Sequence, residues 1–249
     1  MIAGIVHQGS GLGNQLHRYV ATRVLALDKG YKWTMVEPGN FKGASFMDID
    51  MGHRCQFATH TEIPSGKVVV ESSFPLWDEK TNYYNPEFNF IEDNTIIDGE
   101  FQDPRYFEHR LPEIREWLKV EPIKMPDDVC VINFRGGEYT MFPDLFLTKE
   151  YWDEALKLMP IGLKYEVHTD DPETAKQFFP DYPIIHDIGL NWRSIRYAKY
   201  LILSNSSFAI LPALLNENVK LVVAPRYWAR RNTKTWCQPS NYYKQFTYV

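Results

Sequence analysis

The sequence predicts an α/β protein built from two halves, each a parallel β-sheet flanked by helices. Three observations predict it. The chain opens as a strand, a glycine-rich turn, a helix and a second strand, which is a βαβ unit. From residue 129 to residue 224, short apolar strands alternate with amphipathic helices, the pattern of a parallel sheet. A polar, proline-marked segment over 120–128 separates these parts, so we expect domains at 1–122 and 123–249.

The elements of the first half follow from periodicity and from turn residues. The predicted strands lie at 2–6, 32–36, 68–70 and 95–98. One helix is predicted over 12–27, with Gly30 as its stop signal, and another over 104–118, with Asp103 as its N-cap. The segments 37–66 and 72–94 are long and weakly periodic, and loops of that length usually carry function.

The second half is predicted with sharper boundaries. Its strands are expected at 129–134, 165–168, 183–186, 201–203 and 220–224. Helices are expected at 149–159, from Pro172 to Phe179, at 192–199, and from the serine cluster after residue 203 to Leu215. Asp171 precedes Pro172, a pairing typical of a helix start.

Composition excludes several classes of function. The chain has 27 lysines and arginines against 32 aspartates and glutamates, and this net charge of −5 argues against a nucleic-acid partner. Three cysteines match neither a disulfide framework nor a zinc motif, which favours a reducing compartment. We find no signal-peptide pattern and no apolar run near 18 residues, so we expect a cytoplasmic protein without a membrane span.

Polar clusters follow several predicted strands, at the end of a parallel sheet where ligands bind. The first is the glycine turn with Gly11, Gly13 and Asn14. Its glycines let the backbone approach a bulky group closely, although the G-x-G-x-G spacing differs from the dinucleotide G-x-G-x-x-G. The alternative is a plain tight turn between strand and helix. Glu37 after the second strand keeps an NAD-binding interpretation open, because an acidic residue there can bind ribose.

The second cluster contains Arg135 and Gly136 directly after a buried strand. A guanidinium in that place, beside flexible glycines, is suited to bidentate binding of a phosphate. The alternative is a structural ion pair between Arg135 and a nearby carboxylate.

Two further clusters lie in the same half. Asp170 is a candidate acceptor of hydrogen bonds from a ribose or base, whereas Asp171 fits a helix cap. A hydroxyl-rich strand-to-helix junction offers an anion site, with helix capping as the alternative. Its residues are Ser204, Asn205, Ser206, Ser207 and Phe208. Together with Arg135, these clusters predict a nucleoside diphosphate as ligand.

Five segments also resemble the family-11 glycosyltransferases, the α-1,2-fucosyltransferases. Residues 11–16 (GLGNQL) are similar to the family's GLGNQ(L/M) opening, and residues 99–107 to its GYFQ…YF segment. Residues 133–139 align with HxRRGDY, 169–171 with (S/T)DD, and 204–208 contain NSSF. The resemblance covers about residues 4–228. It implies a GT-B fold, with two Rossmann-like domains facing each other across a cleft, and metal-independent, inverting transfer of L-fucose from GDP-fucose to a glycan hydroxyl.

The resemblance also implies roles for residues. Arg135 takes the place of the first arginine of HxRRGD, which is associated with the β-phosphate of the donor. An inverting enzyme needs a group that takes the proton of the acceptor hydroxyl, and the candidates in this sequence are His7, Glu138, Glu100 and Asp103. The donor would contact Gly11, Gly13, Asn14, Asn133, Arg135, Gly136, Asp170, Asp171, Asn205, Ser206, Ser207 and Phe208. For the acceptor we expect Glu100, Asp103 and Trp77. No metal ligands are expected.

The sequence departs from the family motif at three positions. Asn133 replaces the histidine of HxRRGD, Gly136 replaces its second arginine and Glu138 its aspartate. A different nucleotide sugar therefore stays open as donor. Two further hypotheses stay open for the activity itself: an NAD-dependent oxidoreductase, and a sugar- or nucleotide-binding protein that has lost catalysis.

Overall fold

The computed structural model describes residues 1–53, 67–70, 84–229, 236–237 and 243–249. Contacts between backbone positions divide the chain into two compact units, Met1–Lys119 and Val120–Val249. The division falls three residues before the boundary expected from the sequence. Each unit has its own parallel sheet.

The first unit contains a four-stranded parallel sheet in the order β2-β1-β4-β3. Its strands and helices are β1 (Ile2–Ile5), α1 (Leu12–Asp28), β2 (Trp33–Val36), β3 (Lys67–Val70), β4 (Thr95–Asp98) and α2 (Leu111–Trp117). Short 3₁₀ turns lie at Pro38–Asn40, Pro86–Phe90, Pro104–Tyr106 and Glu108–Arg110. The predicted opening βαβ unit is therefore present.

The continuous helix expected over 104–118 is wrong. Two 3₁₀ turns occupy its first part, and α2 begins only at Leu111. The physical reason is Pro112, which lies in the first turn of α2. Proline has no N–H group to donate and clashes with the preceding turn, so Pro112 disfavours a helix that runs in from residue 104.

The second unit contains a six-stranded parallel sheet in the order β12-β9-β8-β5-β6-β7. Its strands are β5 (Val129–Phe134), β6 (Lys164–Thr169), β7 (Ile184–Ile185), β8 (Tyr200–Ile202), β9 (Leu221–Ala224) and β12 (Thr247–Tyr248). Its helices are α3 (Lys149–Lys157), α4 (Pro172–Phe178), α5 (Ile188–Tyr197) and α6 (Ser207–Leu215). A separate antiparallel pair joins β10 (Tyr227–Ala229) and β11 (Trp236–Cys237), and a 3₁₀ turn covers Gly137–Met141.

The core of the second unit is aromatic. The ring centroid of Phe134, at the end of β5, lies 5.3 Å from that of Trp152 on α3 and 5.2 Å from that of Phe178 on α4. Phe134 and Trp152 are buried, and large aromatic side chains of this kind supply much of the apolar area that a core removes from water. The core therefore fixes the carboxyl end of β5 against the two helices that follow it.

Gly4 in β1 is where the backbone comes closest to α1. A Cβ atom built at Gly4 would lie 2.1 Å from the Oγ1 atom of Thr22 and 3.1 Å from the side chain of Met35. The Thr22 hydroxyl is itself fixed, because it donates to the carbonyl of Arg18 over 2.7 Å. The absence of a side chain at Gly4 therefore sets the spacing between β1 and α1.

We predict that Gly4→Ala lowers the free energy of unfolding by about 1–3 kcal/mol, because the added methyl group overpacks this contact. Urea unfolding of the two proteins measures the difference. Gly9→Ala is the matched control, since a Cβ at Gly9 meets nothing within 4 Å. Equal stability losses for the two variants would contradict the packing argument.

Candidate functional site

The sheet of the second unit changes direction between β5 and β8. From β5 the chain continues to β6 on one side, and from β8 it continues to β9 on the other side. Connections that diverge in this way leave a crevice at the carboxyl ends of the two strands, which is where ligands bind in open α/β sheets. Asn133 and Arg135 lie at the end of β5, and Ser204 and Asn205 follow β8.

Asn133 and Ser204 join the two strands at the base of this crevice. The Ser204 hydroxyl donates to Oδ1 of Asn133 over 2.8 Å, and the Ser204 N–H group donates to the Asn133 carbonyl over 3.0 Å. Both residues are buried. The side-chain oxygen of Asn133 is thus already engaged within the sheet, and its predicted contact with a donor stays a prediction.

Arg135 extends from the end of β5 and contacts two carboxylates. Its Nη1 atom donates to Oδ2 of Asp170 over 2.5 Å, and its Nη2 atom donates to Oε1 of Glu138 over 2.9 Å. The guanidinium also lies over the ring of Tyr139, 5.0 Å from its centroid. The structure therefore contains the ion pair that the sequence left open as the alternative to phosphate binding. The Arg135 side chain is 29% exposed, so solvent reaches it.

The two glycines after Arg135 bring the backbone against the acidic pair at the end of β6. The N–H group of Gly136 donates to Oδ1 of Asp170, and that of Gly137 to Oδ2 of Asp171, each over 3.0 Å. A Cβ atom at Gly136 would lie 2.6 Å from the Asp171 side chain, and one at Gly137 would lie 2.7 Å from that of Asp170. Gly137 also has a φ of +48°, which other residues rarely adopt. Only glycine at these two positions allows the backbone to lie this close to the side chains of Asp170 and Asp171.

Asp171 has the structural role expected of a helix cap. Its Oδ1 atom accepts from the N–H group of Thr174, and its Oδ2 atom accepts from the Thr174 hydroxyl. Burial acts to raise the pKa of Asp171, but the hydrogen bonds from Thr174 and from the N–H group of Gly137 outweigh it and lower that pKa. Its predicted contact with a nucleotide stays a prediction.

The junction between β8 and α6 is held by Asn205. Its Nδ2 atom donates to the carbonyl of Leu145 over 2.9 Å and to that of Trp228 over 2.5 Å, so it ties the loop after β5 to β10. Ser206 occupies the N-cap position of α6, but its side chain makes no capping hydrogen bond. Helix capping therefore does not account for the presence of a hydroxyl group at position 206.

The two remaining predicted donor contacts at this junction open α6. Ser207 is the first residue of the helix. The Phe208 ring packs edge-on against Trp192, with 5.8 Å between the ring centroids, which is a core contact. The roles predicted for both in donor binding stay predictions.

In the sheet of the first unit, β1 and β4 are neighbours, so their carboxyl ends lie side by side. His7 follows β1, and Asp98 is the last residue of β4. The Nε2 atom of His7 lies 2.9 Å from Oδ1 of Asp98, within hydrogen-bond distance. Both side chains are about one-third exposed. The sequence singled out His7 but missed Asp98, although Asp98 ends a predicted strand and so lies at the ligand-binding edge of the sheet.

Arg18, on α1, organises the polar groups next to His7 and Asp98. Its guanidinium donates to the Gly99 carbonyl over 2.6 Å, to the Ser10 hydroxyl over 2.6 Å and to Oε1 of Glu100 over 2.7 Å. Its Nε atom also lies 3.9 Å from Asp98. Burial raises the pKa of Glu100, and the charge of Arg18 opposes that rise.

The glycine turn of the first unit is fixed by side chains. A Cβ at Gly11 would meet nothing within 4 Å, so the protein itself does not require glycine there. The Gly13 carbonyl accepts from Nδ1 of His17 over 2.8 Å, and Oδ1 of Asn14 accepts from Nε2 of Gln102 over 3.2 Å. The donor-binding roles predicted for Gly11, Gly13 and Asn14 are untested by these contacts.

Gln15, which we did not predict as a site residue, anchors the same turn. Its Nε2 atom donates to the carbonyls of His7 over 3.1 Å and Asn40 over 2.9 Å, and its Oε1 atom accepts from the N–H group of Lys42 over 3.0 Å. The first of these bonds fixes the carbonyl of His7, and the other two hold the backbone of Asn40 and Lys42 beside it.

The residues predicted for the acceptor are differently placed. Asp103 is buried, caps the turn at Pro104–Tyr106 and binds the guanidinium of Arg105 through both of its carboxylate oxygens. Glu100 binds Arg18, as described above. Trp77 lies outside the described residues.

The described residues contain neither a metal cluster nor a membrane-spanning helix. No group of three or more histidine, cysteine, aspartate or glutamate side chains there could hold a metal ion. Within the same part of the chain, no helix is both long and apolar enough to cross a bilayer.

Comparison with known proteins rests on structure. No protein-family model and no characterised protein sequence matches this chain. Among solved structures, the fucosyltransferase NodZ from Bradyrhizobium is similar with a TM-score of 0.51 and 13% identity, covering 88% of this chain and 94% of that chain. The chain has the GT-B fold. The heptosyltransferase WaaC from E. coli, with ADP, gives a TM-score of 0.46 at 15% identity, and the match covers 91% of this chain and 88% of that chain.

We predict that Arg18→Met lowers the free energy of unfolding by about 3 kcal/mol or more, because Glu100 then loses the partner of a buried ion pair. The pKa of Glu100, already raised in the folded protein, rises further without Arg18. A glutamate whose pKa is raised in the folded protein lowers the free energy of unfolding as the pH increases above 4.5, the ordinary pKa of a glutamate. The loss of stability in Arg18→Met therefore grows as the pH rises from 4.5 toward neutrality.

Urea unfolding at several pH values measures this deficit. Arg23→Met is the matched control on the same helix, because Arg23 contacts the Tyr19 hydroxyl and the rings of Trp33 and Trp117. A deficit that is independent of pH in Arg18→Met would contradict the assigned pairing with Glu100.

Proposed function

We propose that the protein is a glycosyltransferase that transfers L-fucose from GDP-fucose to a hydroxyl group of a glycan, with inversion and without a metal ion. The GT-B fold and the family-11-like motifs at the carboxyl ends of the strands support the proposal. The observation that carries it is the position of Arg135 and Gly136 at the change of direction between β5 and β8.

The contacts of Asp170 explain why this position suits a phosphate group. One oxygen of the carboxylate accepts from the guanidinium of Arg135, and the other accepts from the backbone N–H group of Gly136. Two donors from neighbouring residues therefore converge on one anion. A phosphate oxygen makes the same charge-assisted bonds, and in this proposal it takes the place of the Asp170 carboxylate.

The charges around Arg135 require the Asp170 carboxylate to move away when a phosphate binds. Asp170, Glu138 and Asp171 all lie within hydrogen-bond distance of Arg135 or of the two glycines. A diphosphate added beside three carboxylates and one guanidinium would meet net repulsion. Binding therefore requires Asp170 to leave the guanidinium, and the partial exposure of both side chains allows it. Exposed ion pairs of this kind contribute only about 0.2–1 kcal/mol, so their loss is readily offset by a phosphate.

The chemistry then follows from where charge develops. As the bond between the anomeric carbon and the phosphate oxygen breaks, negative charge grows on the departing GDP, and a guanidinium already in place stabilises it. The acceptor hydroxyl attacks the opposite face of the sugar, which inverts the anomeric centre. In the donor site we include Asn133, Asn205, Ser206 and Ser207, which lie at the ends of β5 and β8 and at the start of α6.

We predict that Arg135→Ala lowers the rate of GDP-fucose turnover about 100-fold or more, because one preorganised contact to the developing charge is lost. Arg135→Lys is expected to lower the turnover rate less than Arg135→Ala does, since an ammonium group keeps the positive charge but cannot donate two parallel hydrogen bonds. The assay follows GDP release in the presence of EDTA. Activity that depends on Mn²⁺ would contradict the metal-free reaction.

Further outcomes of this assay distinguish the transferase from a binding protein and from an oxidoreductase. A wild-type protein that binds GDP but gives no turnover in the presence of varied glycan acceptors would indicate a binding protein. Stabilisation of the protein by NADH and not by GDP or GDP-fucose would indicate an oxidoreductase.

We predict that Asp170→Asn strengthens the binding of inorganic pyrophosphate about 2- to 5-fold, the effect of removing one exposed competing ion pair. Isothermal titration calorimetry measures the affinity. Asp153→Asn is the matched control, because Asp153 forms an exposed pair with Lys149 on α3, outside the crevice. Unchanged or weaker pyrophosphate binding in Asp170→Asn would show that the phosphate does not replace this carboxylate.

A further inference from the structure

The two carboxylates at the end of β6 differ in what they contact. Asp170 accepts from the guanidinium of Arg135 and from the N–H group of Gly136, the two donors that the proposed function assigns to a phosphate. Asp171 instead accepts from the N–H group of Gly137, over 3.0 Å, and from donors at the start of α4. A phosphate that replaces Asp170 therefore leaves the contacts of Asp171 in place.

From this difference we infer that Asp171 is a positioning residue of the phosphate site. It holds the backbone at Gly137, and through it the N–H group of Gly136, in the orientation that binds a phosphate once Asp170 has moved away. The inference rests on the proposed function, because it concerns the site at which the diphosphate of the donor binds. In this role Asp171 touches no ligand, whereas the sequence predicted a direct contact with the donor.

The two glycines need such a support because they have no side chains to restrict them. Glycine adopts more backbone conformations than other residues do, and Gly137 has a φ of +48°. When Asp170 leaves, the N–H group of Gly136 loses this partner, but the bond from the N–H group of Gly137 to Oδ2 of Asp171 remains. That bond then keeps the neighbouring N–H group aimed at the phosphate.

The peptide group that joins the two glycines is held at both of its ends. Its carbonyl, which belongs to Gly136, accepts from the N–H group of Tyr139 over 3.0 Å. Its N–H group, which belongs to Gly137, donates to Asp171. The Thr140 hydroxyl also donates to the Gly137 carbonyl over 2.7 Å. Asp171 thus supplies the restraint on the N–H side, and the turn after the glycines supplies the restraint on the carbonyl side.

Asp171 is itself fixed by the strand before it and by the helix after it. Its N–H group donates to Oγ1 of Thr169 over 2.9 Å, and Thr169 is buried at the end of β6. Its Oδ1 atom accepts from the N–H group of Thr174 over 3.1 Å, and its Oδ2 atom accepts from the Thr174 hydroxyl over 2.6 Å. Asp171 is therefore anchored to both the sheet and α4, so it can restrain the glycine backbone that contacts it.

Charge and position predict opposite effects for the loss of the Asp171 carboxylate. A carboxylate near a bound diphosphate repels it, so removal of the negative charge alone strengthens binding. Removal of the bond to Gly137 frees the glycine backbone and weakens binding, because ordering that backbone then costs conformational entropy. The positioning role therefore requires substitutions of Asp171 to act in the direction opposite to that expected for Asp170→Asn.

The test measures the affinity for inorganic pyrophosphate in Asp171→Ser and Asp171→Asn by isothermal titration calorimetry. Serine and asparagine are both good N-cap residues, so α4 keeps a cap while the acceptor for the N–H group of Gly137 is lost. We expect binding about 3- to 10-fold weaker in each variant, the effect of one lost hydrogen bond. Because pyrophosphate is strongly anionic, this weakening does not come from a lost contact between pyrophosphate and the Asp171 carboxylate.

Asp187→Ser is the matched control, and we expect it to bind pyrophosphate as the wild type does. Asp187 caps α5 in the same unit, but its capping bond comes from the N–H group of Leu190, over 2.6 Å, and not from a glycine of the site. Urea unfolding of each variant records any loss of the cap separately from the affinity. Weaker binding in the Asp171 variants alone supports the inference. Unchanged or tighter binding in Asp171→Ser, or an equal loss in Asp187→Ser, overturns it. Should Asp171→Ser not fold, Asp171→Asn decides by the same criterion.

Arg135→Ala separates this inference from the proposed function. If the wild type does not bind pyrophosphate, or if Arg135→Ala binds it as tightly as the wild type, the phosphate site of the proposed function is wrong, and the role of Asp171 with it. If binding depends on Arg135 while both Asp171 variants bind as tightly as the wild type, the role of Asp171 alone is wrong.

Discussion

The contact between Arg135 and Asp170 is the interaction on which the second unit's site depends. It forms because β5 and β6 are paired in parallel with Phe134 opposite Thr169, so the next residue of each strand meets the other at the edge of the sheet. The glycines that follow Arg135 then allow the backbone N–H groups to reach the same acidic pair. The carboxylate of Asp170 is thus held by two kinds of donor, the guanidinium of Arg135 and the backbone N–H group of Gly136.

Each unit has an arginine bound to carboxylates near the carboxyl ends of its strands, and the two arginines differ in burial. Arg18 is 8% exposed and makes hydrogen bonds to a carbonyl, a hydroxyl and Glu100, so its release would leave a buried charge without partners. Arg135 is 29% exposed, and its partners are at least equally exposed. An exposed ion pair exchanges partners at small cost. This difference supports a structural role for Arg18 and agrees with the ligand-binding role proposed for Arg135.

The sequence predicted the elements better than it predicted the contacts. Strand β5 has the predicted bounds, and the Asp171 cap before Pro172 was recognised, because both depend on local signals. The helix expected over 104–118 was predicted from the start signal of Asp103 and Pro104, and that prediction gave no weight to Pro112, at which the helix is interrupted. Periodicity does not show partners that are distant in the chain. Asp98 and His7 are 91 residues apart, and only the pairing of β1 with β4 brings them together.

The crystal structure of the protein with GDP tests the central claim most directly, through the distances from the Arg135 guanidinium to the β-phosphate and to Asp170. The account predicts a hydrogen bond from Arg135 to a β-phosphate oxygen, with the Asp170 carboxylate moved off the guanidinium. A diphosphate bound on the glycine turn of the first unit, with Arg135 still paired to Asp170 and Glu138, would contradict it.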